Sequence, residues 1–396
     1  MLEGRRFWFV GIGGAGLSGY AVVSKAWGAD VAGWDRYETP YLEHVRAAGI
    51  PVIVSDEPQA GCEDWETVVS TAFAGRVDGR SRADFLAELV GEAKPIVVSG
   101  AHGKTSTAAM IAFVLDRLGL DPSFLLGGEV PQLGGNARAG SGWLVVEGDE
   151  SDRTVFRLPA EIAVITNVDL DHHTTFRSIA ELSNEFERWA AAIPHVVWGS
   201  EIDQVDLALA VPGEHNRRNA ACALAALEFA GVDRDQAAGV LGEFRGVGRR
   251  LESHGEAGGV RLLDDYGHNP AKIAAALAAA RELAGDGRVV VLFQPHLYSR
   301  TLHLATELAQ ALAGADVAAV TDVYPAREQP IEGVSGKLVV DRLCEARPGM
   351  PVAWTPTVEQ GATFLAAAAR AGDLVVTVGA GDVDRALALL SARPAA

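Results

Sequence analysis

Residues 100–107, GAHGKTST, have the composition of a loop that binds nucleotide phosphates. They follow the apolar run KPIVVS and precede an Ala-rich stretch, so the loop joins a strand to a helix. In such a loop the backbone amides surround the phosphates, the lysine (Lys104) reaches the terminal phosphates, and the hydroxyl of Thr105 can hold Mg²⁺. Only five of the 34 Lys and Arg residues are lysine. A lysine after Gly103 therefore indicates a need for a compact point charge, although Val98 replaces the first glycine of the full pattern.

A second glycine-rich segment, Gly11–Gly16, follows the strand-like run FWFV and precedes a helical stretch. Asp35 stands nineteen residues after Gly16, at the end of VAGWD, and completes the fingerprint of a dinucleotide-binding loop. Its glycines would let the backbone approach a pyrophosphate at a helix N-terminus. The pattern predicts phosphate binding without identifying the nucleotide, and an NAD(P)-dependent dehydrogenase would also explain it. A tight turn that serves packing alone is the alternative.

Acidic and imidazole side chains follow two further strand-like runs. Glu147, Asp149 and Glu150 come after GWLVV, and Asn167, Asp171 and His172 come after AVIT. Carboxylate and imidazole groups beside a phosphate-binding loop suit a Mg²⁺ ion that is held together with phosphate oxygens and water. Each cluster alone is weak, because acidic loops are usually solvated. Together with the phosphate-binding loop they predict a metal site.

Two asparagines open an Ala-rich helix in the segment GEHNRRNA. Asn216 and Asn219 are three residues apart, so they share one face of the helix. Their amides could bind the edge of an adenine ring. Helix capping and the ordinary polarity of an exposed face explain the spacing equally well.

Two polar loops near the C-terminus also follow apolar runs. DDYGHNP, residues 264–270, comes after VRLL, and QPHLYSR, residues 294–300, comes after VVVLF. Histidine, tyrosine and arginine side chains at strand ends could form a site for a small zwitterion. The segments DVYPAREQPIEGV and VGAGD come later in the same part of the chain.

The elements that must position these residues are alternating strands and helices. Continuous apolar strands that end in Gly, Asp or Asn, followed by helices, are typical of parallel sheets covered on both faces. Ligands of such sheets bind beyond the carboxyl ends of the strands. We therefore predict an α/β fold with three βα arrays: one that runs to about Ala93, a second that opens with KPIVVSGAHGKTST and closes near Phe244, and a third that starts around GVGRRLE.

Composition excludes several classes of protein. The net charge of −18 disfavours binding to nucleic acid or to anionic membrane surfaces. The chain has no apolar run of the ~18–20 residues that a membrane helix needs, and its N-terminus does not resemble a signal peptide. We expect a cytoplasmic protein, a monomer or homodimer. The three widely spaced cysteines exclude a disulfide framework and a CxxC metal site, and we expect three reduced thiols in the core.

Taken in order, these motifs resemble the Mur ligases of peptidoglycan synthesis, and most of all their alanine-adding branch. The resemblance covers nearly the whole chain and rests on FVGIGGAGLSG, SGAHGKTST, VVEGDESD, TNVDLDH, PGEHNRRNA, GVGRRLE, DDYGHNP, FQPHLYSRT and DVYPAREQPIEGVSG. It implies a Rossmann-like domain over residues 1–94, a P-loop-type ATPase domain with a mostly parallel sheet over 95–246, and a second Rossmann-like domain over 247–396. It also implies an ATP- and Mg²⁺-dependent reaction that joins L-alanine to the lactyl carboxylate of UDP-N-acetylmuramate. An acyl phosphate forms first, and ADP and phosphate are released.

The resemblance also implies roles for individual residues. The UDP-sugar would be held by Gly11, Gly13, Gly14, Gly16, Ser18 and Asp35, and the amino acid by Tyr266, His268, His296 and Arg300. ATP would be bound by Gly100, Gly103, Lys104, Thr105, Ser106, Asn216, Asn219, Arg250 and Asp265, and Mg²⁺ by Thr105, Glu147 and His172. The catalytic residues would be Lys104, Glu147, His172, Arg250, His268 and Arg300.

The chain departs from the family pattern at three places. The segment between about Val197 and Pro212 is shorter than usual, Ala101 replaces a threonine, and Asn269 replaces the second histidine of alanine ligases. DYGHNP is nearer to other ligases of this type. Two alternatives therefore stay open: a recycling ligase that adds a whole peptide to the same UDP-sugar, and a non-catalytic relative that binds nucleotide.

Overall fold

The computed structural model describes residues 2–169, 175–326 and 328–391. Three sheets occur in this part of the chain, and neighbouring strands are parallel in all pairs except two edge hairpins. The predicted α/β class with mostly parallel sheets is therefore confirmed. The reason lies in the interior strands of these sheets, which are short, rich in Val, Ile and Phe, and buried.

The first sheet has the strand order β3-β2-β1-β4-β5. Phe7 and Phe9 on β1 are fully buried and pack edge-on against Phe85 of α3, which fixes this helix to one face of the sheet. The elements are β1 Arg6–Val10, α1 Ala15–Ala26, β2 Asp30–Asp35, α2 Tyr41–Ala47, β3 Val52–Val54, β4 Glu66–Val69, β5 Arg80–Ser81 and α3 Arg82–Gly91.

The second sheet has the order β11-β10-β6-β9-β7-β8, with β6 in its interior. The helix that follows β6 is buried along its whole centre, including Met110 and Phe113. The elements are β6 Pro95–Ser99, α4 Lys104–Arg117, β7 Ser123–Val130, β8 Gly135–Arg138, β9 Leu144–Glu147, β10 Ile162–Ile165, α5 Ile179–Ala190, β11 His195–Trp198, α6 Glu214–Phe229 and α7 Arg234–Leu241. Residues 202–213, in the segment predicted to be shortened, contain no helix or strand.

The third sheet has the order β12-β13-β17-β14-β15-β16, and only its edge strand β12 is antiparallel to its neighbour within the described residues. The elements are β12 Arg250–Ala257, β13 Val260–Asp265, α8 Pro270–Ala284, β14 Val289–Phe293, α9 Tyr298–Leu312, β15 Val317–Val320, α10 Gly336–Ala346, β16 Val352–Trp354, α11 Val358–Ala368, β17 Leu374–Val378 and α12 Arg385–Ser391.

The chain forms two compact units. One comprises residues 1–211 and 216–247 and contains the first two sheets, and the other comprises 212–215 and 248–396 and contains the third. The finer division at residues 94 and 246 stays a prediction. Among the described residues, no helix has both the length and the apolarity needed to cross a membrane.

The cysteines are free thiols, but the prediction that all three lie in the core is wrong. Cys222 is buried in α6, whereas Cys62 and Cys344 are exposed. Cys62 stands in the loop before β4 and Cys344 on the outer face of α10, and neither position demands an apolar side chain.

Candidate active site

The predicted phosphate-binding loop connects β6 to α4 and needs its glycines. Gly100 and Gly103 have φ angles of +124° and +82°, a region that side-chain-bearing residues rarely adopt. A Cβ on Gly100 would lie 2.4 Å from Thr166 Oγ1, and one on Gly103 would lie 2.2 Å from Asn219 Oδ1. Backbone conformation and close packing both explain these two glycines.

The end of the neighbouring strand β10 holds this loop in place. Asn167 Oδ1 accepts a hydrogen bond from the His102 backbone N–H at 3.0 Å, and Asn167 Nδ2 donates to His102 O at 2.8 Å. Thr166 Oγ1 donates to the same carbonyl at 2.6 Å. Asn167, which the sequence grouped with metal-binding residues, therefore acts as a brace for the phosphate loop.

Lys104 is the first residue of α4, and its ammonium lies back over the loop. Its Nζ donates to Gly100 O at 2.7 Å and to the Glu150 carboxylate at 2.9 and 3.2 Å. The side chains of Lys104 and Glu150 are 14% and 2% exposed. Burial alone would lower the pKa of Lys104, but the carboxylates of Glu150, Glu147 and Asp149 outweigh it and raise that pKa. A permanent positive charge therefore stands at the loop.

The remaining predicted residues of this region surround the loop. Thr105 is buried and Ser106 half-buried in the first turn of α4. On α6, Asn219 lies against Gly103, and its amide nitrogen is 3.4 Å from Asn216 Oδ1, so the two asparagines share one face as the spacing predicted. Asn219 is thereby placed beside the phosphate-binding loop.

Glu147, at the end of β9, carries the predicted metal-binding carboxylate. Its Oε2 accepts a hydrogen bond from the Gly127 backbone N–H at 2.9 Å, and a Cβ on Gly127 would lie 2.4 Å from the same oxygen. Oxygen donors such as this carboxylate and the Thr105 hydroxyl suit Mg²⁺. His172 lies outside the described residues, and no group of three candidate metal ligands occurs within them.

The loop between β1 and α1 is braced by its predicted acidic residue. Asp35 Oδ2 accepts from the Gly13 backbone N–H at 2.7 Å, and Oδ1 accepts from the Arg36 N–H at 2.7 Å. Thr39 Oγ1 donates to Gly13 O at 2.8 Å. At Gly11, with φ +85°, a Cβ would lie 2.5 Å from Ser70 Oγ. Asp35 therefore orders the loop itself, and its predicted contact with a ligand stays a prediction.

The start of α1 faces the second sheet across a cleft. Asn136 Nδ2 of β8 donates to Ala15 O at 3.1 Å, and a Cβ on Gly19 would lie 2.9 Å from the Cβ of Ala137. The backbone of Gly14 caps α1, while Ser18 is buried and its hydroxyl donates to Ala15 O. The cleft is lined by Ala15, Gly16, Gly19, Tyr20, Arg82, Leu125, Leu126, Gly127, Asn136, Val146, Glu147 and Asp149.

This cleft brings two predicted sites together. Gly16 belongs to the first glycine-rich loop, and Glu147 and Asp149 belong to the acidic loop after β9. A phosphorylated substrate on α1 would therefore extend toward carboxylates that can hold a metal ion. Sequence reasoning overlooked Arg82 in this cleft and Glu150 as the partner of Lys104.

In the third sheet, the GVGRRLE segment contributes two arginines with different surroundings. Arg249 Nε donates to the fully buried Asp264 carboxylate at 2.8 Å, and its other nitrogens donate to the carbonyls of Gly379 and Gly381. The guanidinium of Arg250 lies over the Tyr266 ring, 5.5 Å from its centre. Arg249 is a structural anchor that the sequence analysis did not identify, and the phosphate contact of Arg250 stays a prediction.

Asp265 lies beside these arginines at the end of β13. Its carboxylate accepts from the backbone N–H groups of Gly267 at 2.7 Å and Leu251 at 3.1 Å. Burial raises the pKa of Asp265 to about 6, although the nearby charge of Arg250 opposes this rise. The carboxylate is therefore held in a fixed orientation at the strand end.

His268, His296 and Arg300 come together where β13 and β14 end. The two imidazole rings have their centres 5.9 Å apart, and Arg300 Nη1 lies 3.1 Å from His296 Nδ1. Burial, followed by the charges of Lys272 and Arg300, lowers the pKa of His268 to about 3. Burial and Arg300 also lower the pKa of His296. Both imidazoles are therefore neutral near pH 7.

Asn269 has a structural role that explains its presence in DYGHNP. Its side chain caps α8 by accepting a hydrogen bond from the Lys272 backbone N–H at 2.9 Å, with Pro270 as the first helical residue. Asparagine is among the preferred N-cap residues and proline is favoured at the following position.

Comparison with known proteins relates the whole chain to one family. The description "Mur ligase family, catalytic domain" matches residues 6–94, and "Mur ligase, glutamate ligase domain" matches residues 249–381. The UDP-N-acetylmuramate–L-alanine ligase of Streptomyces coelicolor is 38% identical, with 95% of this chain and 94% of that protein covered. The corresponding ligase of Rubrobacter xylanophilus is 37% identical over 97% of this chain and 99% of that protein.

Solved structures agree with these relatives. The structure of UDP-N-acetylmuramate-alanine ligase from Thermotoga maritima matches with a TM-score of 0.83 and 26% identity, covering 97% of this chain and 98% of that one. A murein peptide ligase from Psychrobacter arcticus shares the fold, with a TM-score of 0.65 and 22% identity over 99% of this chain and 100% of that one.

Proposed function

This chain belongs to the Mur ligase family, and we propose that it is an ATP-dependent ligase that joins L-alanine to the lactyl carboxylate of UDP-N-acetylmuramate. The observation that carries the proposal is the cleft in which the glycine-rich loop at Gly16 faces Glu147 and Asp149. In this proposal the cleft would hold the nucleotide sugar beside the carboxylates that bind the metal ion. The whole-length similarity to L-alanine ligases supports the choice of amino acid.

In this proposal the first step takes place on the second sheet. The loop at residues 100–103 binds the phosphates of ATP, and Lys104 stabilises the charge on the transferring γ-phosphoryl group. Thr105 and Glu147 would hold Mg²⁺, together with His172 as the family resemblance implies, and the ion would neutralise phosphate charge. The lactyl carboxylate attacks the γ-phosphorus, the bond to the β,γ-bridging oxygen breaks, and ADP leaves with that electron pair.

The second step uses the amine of alanine. The amine attacks the acyl carbon, a tetrahedral adduct forms, and phosphate leaves to give the amide. Arg300 would pair with the carboxylate of alanine through two parallel hydrogen bonds, and Tyr266 would line the amino-acid site. His268 would lie near the amine, but its pKa of about 3 makes it a weak base, so the neutral imidazole of His296 is the better acceptor for the proton that the amine loses. Arg250 and Asp265 would contact the γ-phosphate and the ribose of ATP.

The test is phosphate release by the purified protein with ATP, Mg²⁺ and UDP-N-acetylmuramate. Acceptors are L-alanine, glycine, L-serine and a tripeptide, and each product is identified by mass spectrometry. We expect L-alanine to be the best substrate and glycine to be slower rather than excluded, because one methyl group is worth only ~1–3 kcal/mol. Efficient joining of the tripeptide without joining of L-alanine would support a peptide-recycling ligase instead. Nucleotide binding without any turnover would support a non-catalytic relative.

A further inference from the structure

Arg82, the first residue of α3, lies in the cleft but has no role in the function proposed above. Its Nη1 is 3.2 Å from the position that a Cβ on Gly16 would occupy. Gly16 is in the first turn of α1, where the backbone N–H groups have no partner within the helix. The guanidinium is therefore held directly beside the end of α1 that can bind an anion.

The Arg82 guanidinium also has hydrogen-bond donors that the described residues do not use. Its Nη2 lies 3.3 Å from Asp152 Oδ2, and its buried Nε has no hydrogen-bond acceptor within residues 2–169, 175–326 and 328–391. A guanidinium has five N–H donors in a fork that fits two oxygens of a phosphate or carboxylate. The single contact to Asp152 leaves most of this capacity unused by the described residues.

A further observation about Arg82 concerns the charges of the residues that line the cleft. The lining includes the carboxylates of Glu147 and Asp149, and Arg82 is the one cationic side chain among the lining residues that the structure describes. A nucleotide sugar carries a doubly charged diphosphate, which such carboxylates would repel. Binding it requires a positive group on the side of the cleft formed by α1, and Arg82 occupies that place.

We propose that Arg82 binds the diphosphate of the nucleotide sugar together with the first turn of α1. This inference rests on the proposed function, since it assumes a nucleotide sugar as substrate. The diphosphate is favoured over the lactyl carboxylate because Nη1 lies against Gly16, at the phosphate-binding loop.

Isothermal titration of the full-length protein with UDP, UDP-N-acetylglucosamine and UDP-N-acetylmuramate tests this assignment. The first two probes lack the lactyl carboxylate, so they report on the diphosphate contact. For Arg82→Gln we expect roughly ten- to hundredfold weaker binding of all three, as for loss of a charge-assisted contact. Arg82→Lys, which keeps the charge without the fork, should lie between Arg82→Gln and the unmodified protein.

Arg157→Gln is the matched control. Arg157 Nη1 donates to Asp84 at 2.7 Å, so it also links the segment after β9 to α3, but it does not line the cleft. We expect this variant to bind the three probes as the unmodified protein does. Thermal melting and ATP binding identify any variant that has not folded, in which case Arg82→Lys decides the outcome.

Three results would overturn the inference. Unchanged binding of UDP by Arg82→Gln and Arg82→Lys excludes the contact, and a loss confined to UDP-N-acetylmuramate assigns the arginine to the lactyl carboxylate. An equal loss in Asp152→Asn means that Arg82 acts only through its ion pair. If the unmodified protein binds UDP but catalyses no ligation, the proposed function fails while the comparison of variants still decides the role of Arg82.

Discussion

Replacing Lys104 by methionine tests two roles of this residue, one in catalysis and one in stability. Lys104 is proposed to stabilise the γ-phosphate, and it also neutralises the Glu150 carboxylate, which is 2% exposed and 2.9 Å from Nζ. Methionine keeps the length and apolar stem of the side chain but removes the charge. The variant should therefore lose catalysis and leave Glu150 buried without its cation.

The expected loss of stability follows from this burial. Breaking a buried ion pair by removing one partner typically destabilises a protein by about 3–5 kcal/mol. We expect about 3 kcal/mol, the lower end of that range, because the Lys104 side chain is 14% exposed. For a unit of this size, residues 1–211 and 216–247, such a change lowers Tm by roughly 6–12 °C.

The loss should also depend on pH in a defined direction. Burial raises the pKa of the Glu150 carboxyl, and the variant lacks the ammonium that opposes this effect. Above the ordinary carboxyl pKa the unfolded chain has released its proton while the folded chain still holds it, so stability falls as pH rises. The deficit relative to the unmodified protein should be larger near about pH 8 than near about pH 5.5.

The double variant Lys104→Met with Glu150→Gln is the control. It removes both charges, so we expect it to recover most of the lost Tm while phosphate release stays abolished. Melting is followed by circular dichroism and phosphate release by a coupled assay. Turnover close to normal in Lys104→Met would refute the phosphate role, and an unchanged Tm at both pH values would refute the ion-pair argument.

Three further predictions concern the amino-acid site and the metal site. Arg300→Lys should raise the KM for L-alanine strongly, because lysine cannot form the two-pronged contact with a carboxylate; a KM within twofold of normal would contradict this. Burial lowers the pKa of His268 from the ordinary value of 6.5 to about 3. Below about pH 6.5 the unfolded chain therefore binds a proton that the folded chain does not, and stability falls on acidification. His268→Gln should therefore lose less Tm than the unmodified protein between about pH 7 and pH 4.5, and equal losses would refute the reasoning. The sequence has no lysine between Lys104 and Lys272, so we expect no carbamylated lysine in the central site and full activity in bicarbonate-free buffer; strict bicarbonate dependence would oppose this.

The interior of the fold could be predicted from the sequence because buried parallel strands are readable as apolar runs. VVVLF became β14, and KPIVVS contains β6. The antiparallel edge strands were harder to predict from the sequence. β12, Arg250–Ala257, has the polar sequence RLESHGEA and is a strand because β13 offers it an unpaired edge, a tertiary effect that local propensity does not contain.

The glycine loops were also predictable, since their chemistry is local. Gly100 and Gly103 have left-handed or otherwise restricted backbones, and the pattern that places them between a strand and a helix is contained in a few residues. Partners distant in sequence were not predictable. Asn167 lies 65 residues from His102, and Arg82 lies 70 residues from Asp152, and these contacts exist only once the sheets have formed.

The acidic loop after β9 shows most clearly why a motif identifies a site before it identifies the function of each residue. EGDESD contains four carboxylates within six positions, and all of them are chemically able to bind a metal or pair with a lysine. The fold gives them different partners: the Gly127 N–H for Glu147, the Ser151 N–H for Asp149, Lys104 for Glu150, and Arg82 with the Thr154 N–H for Asp152. Only two of the four, Glu147 and Asp149, line the cleft. Glu150 pairs with Lys104 and Asp152 with Arg82, and neither of these carboxylates lines the cleft. Glu147→Gln should accordingly raise the Mg²⁺ concentration needed for half-maximal turnover far more than Asp152→Asn does. The opposite order would show that the metal is held elsewhere.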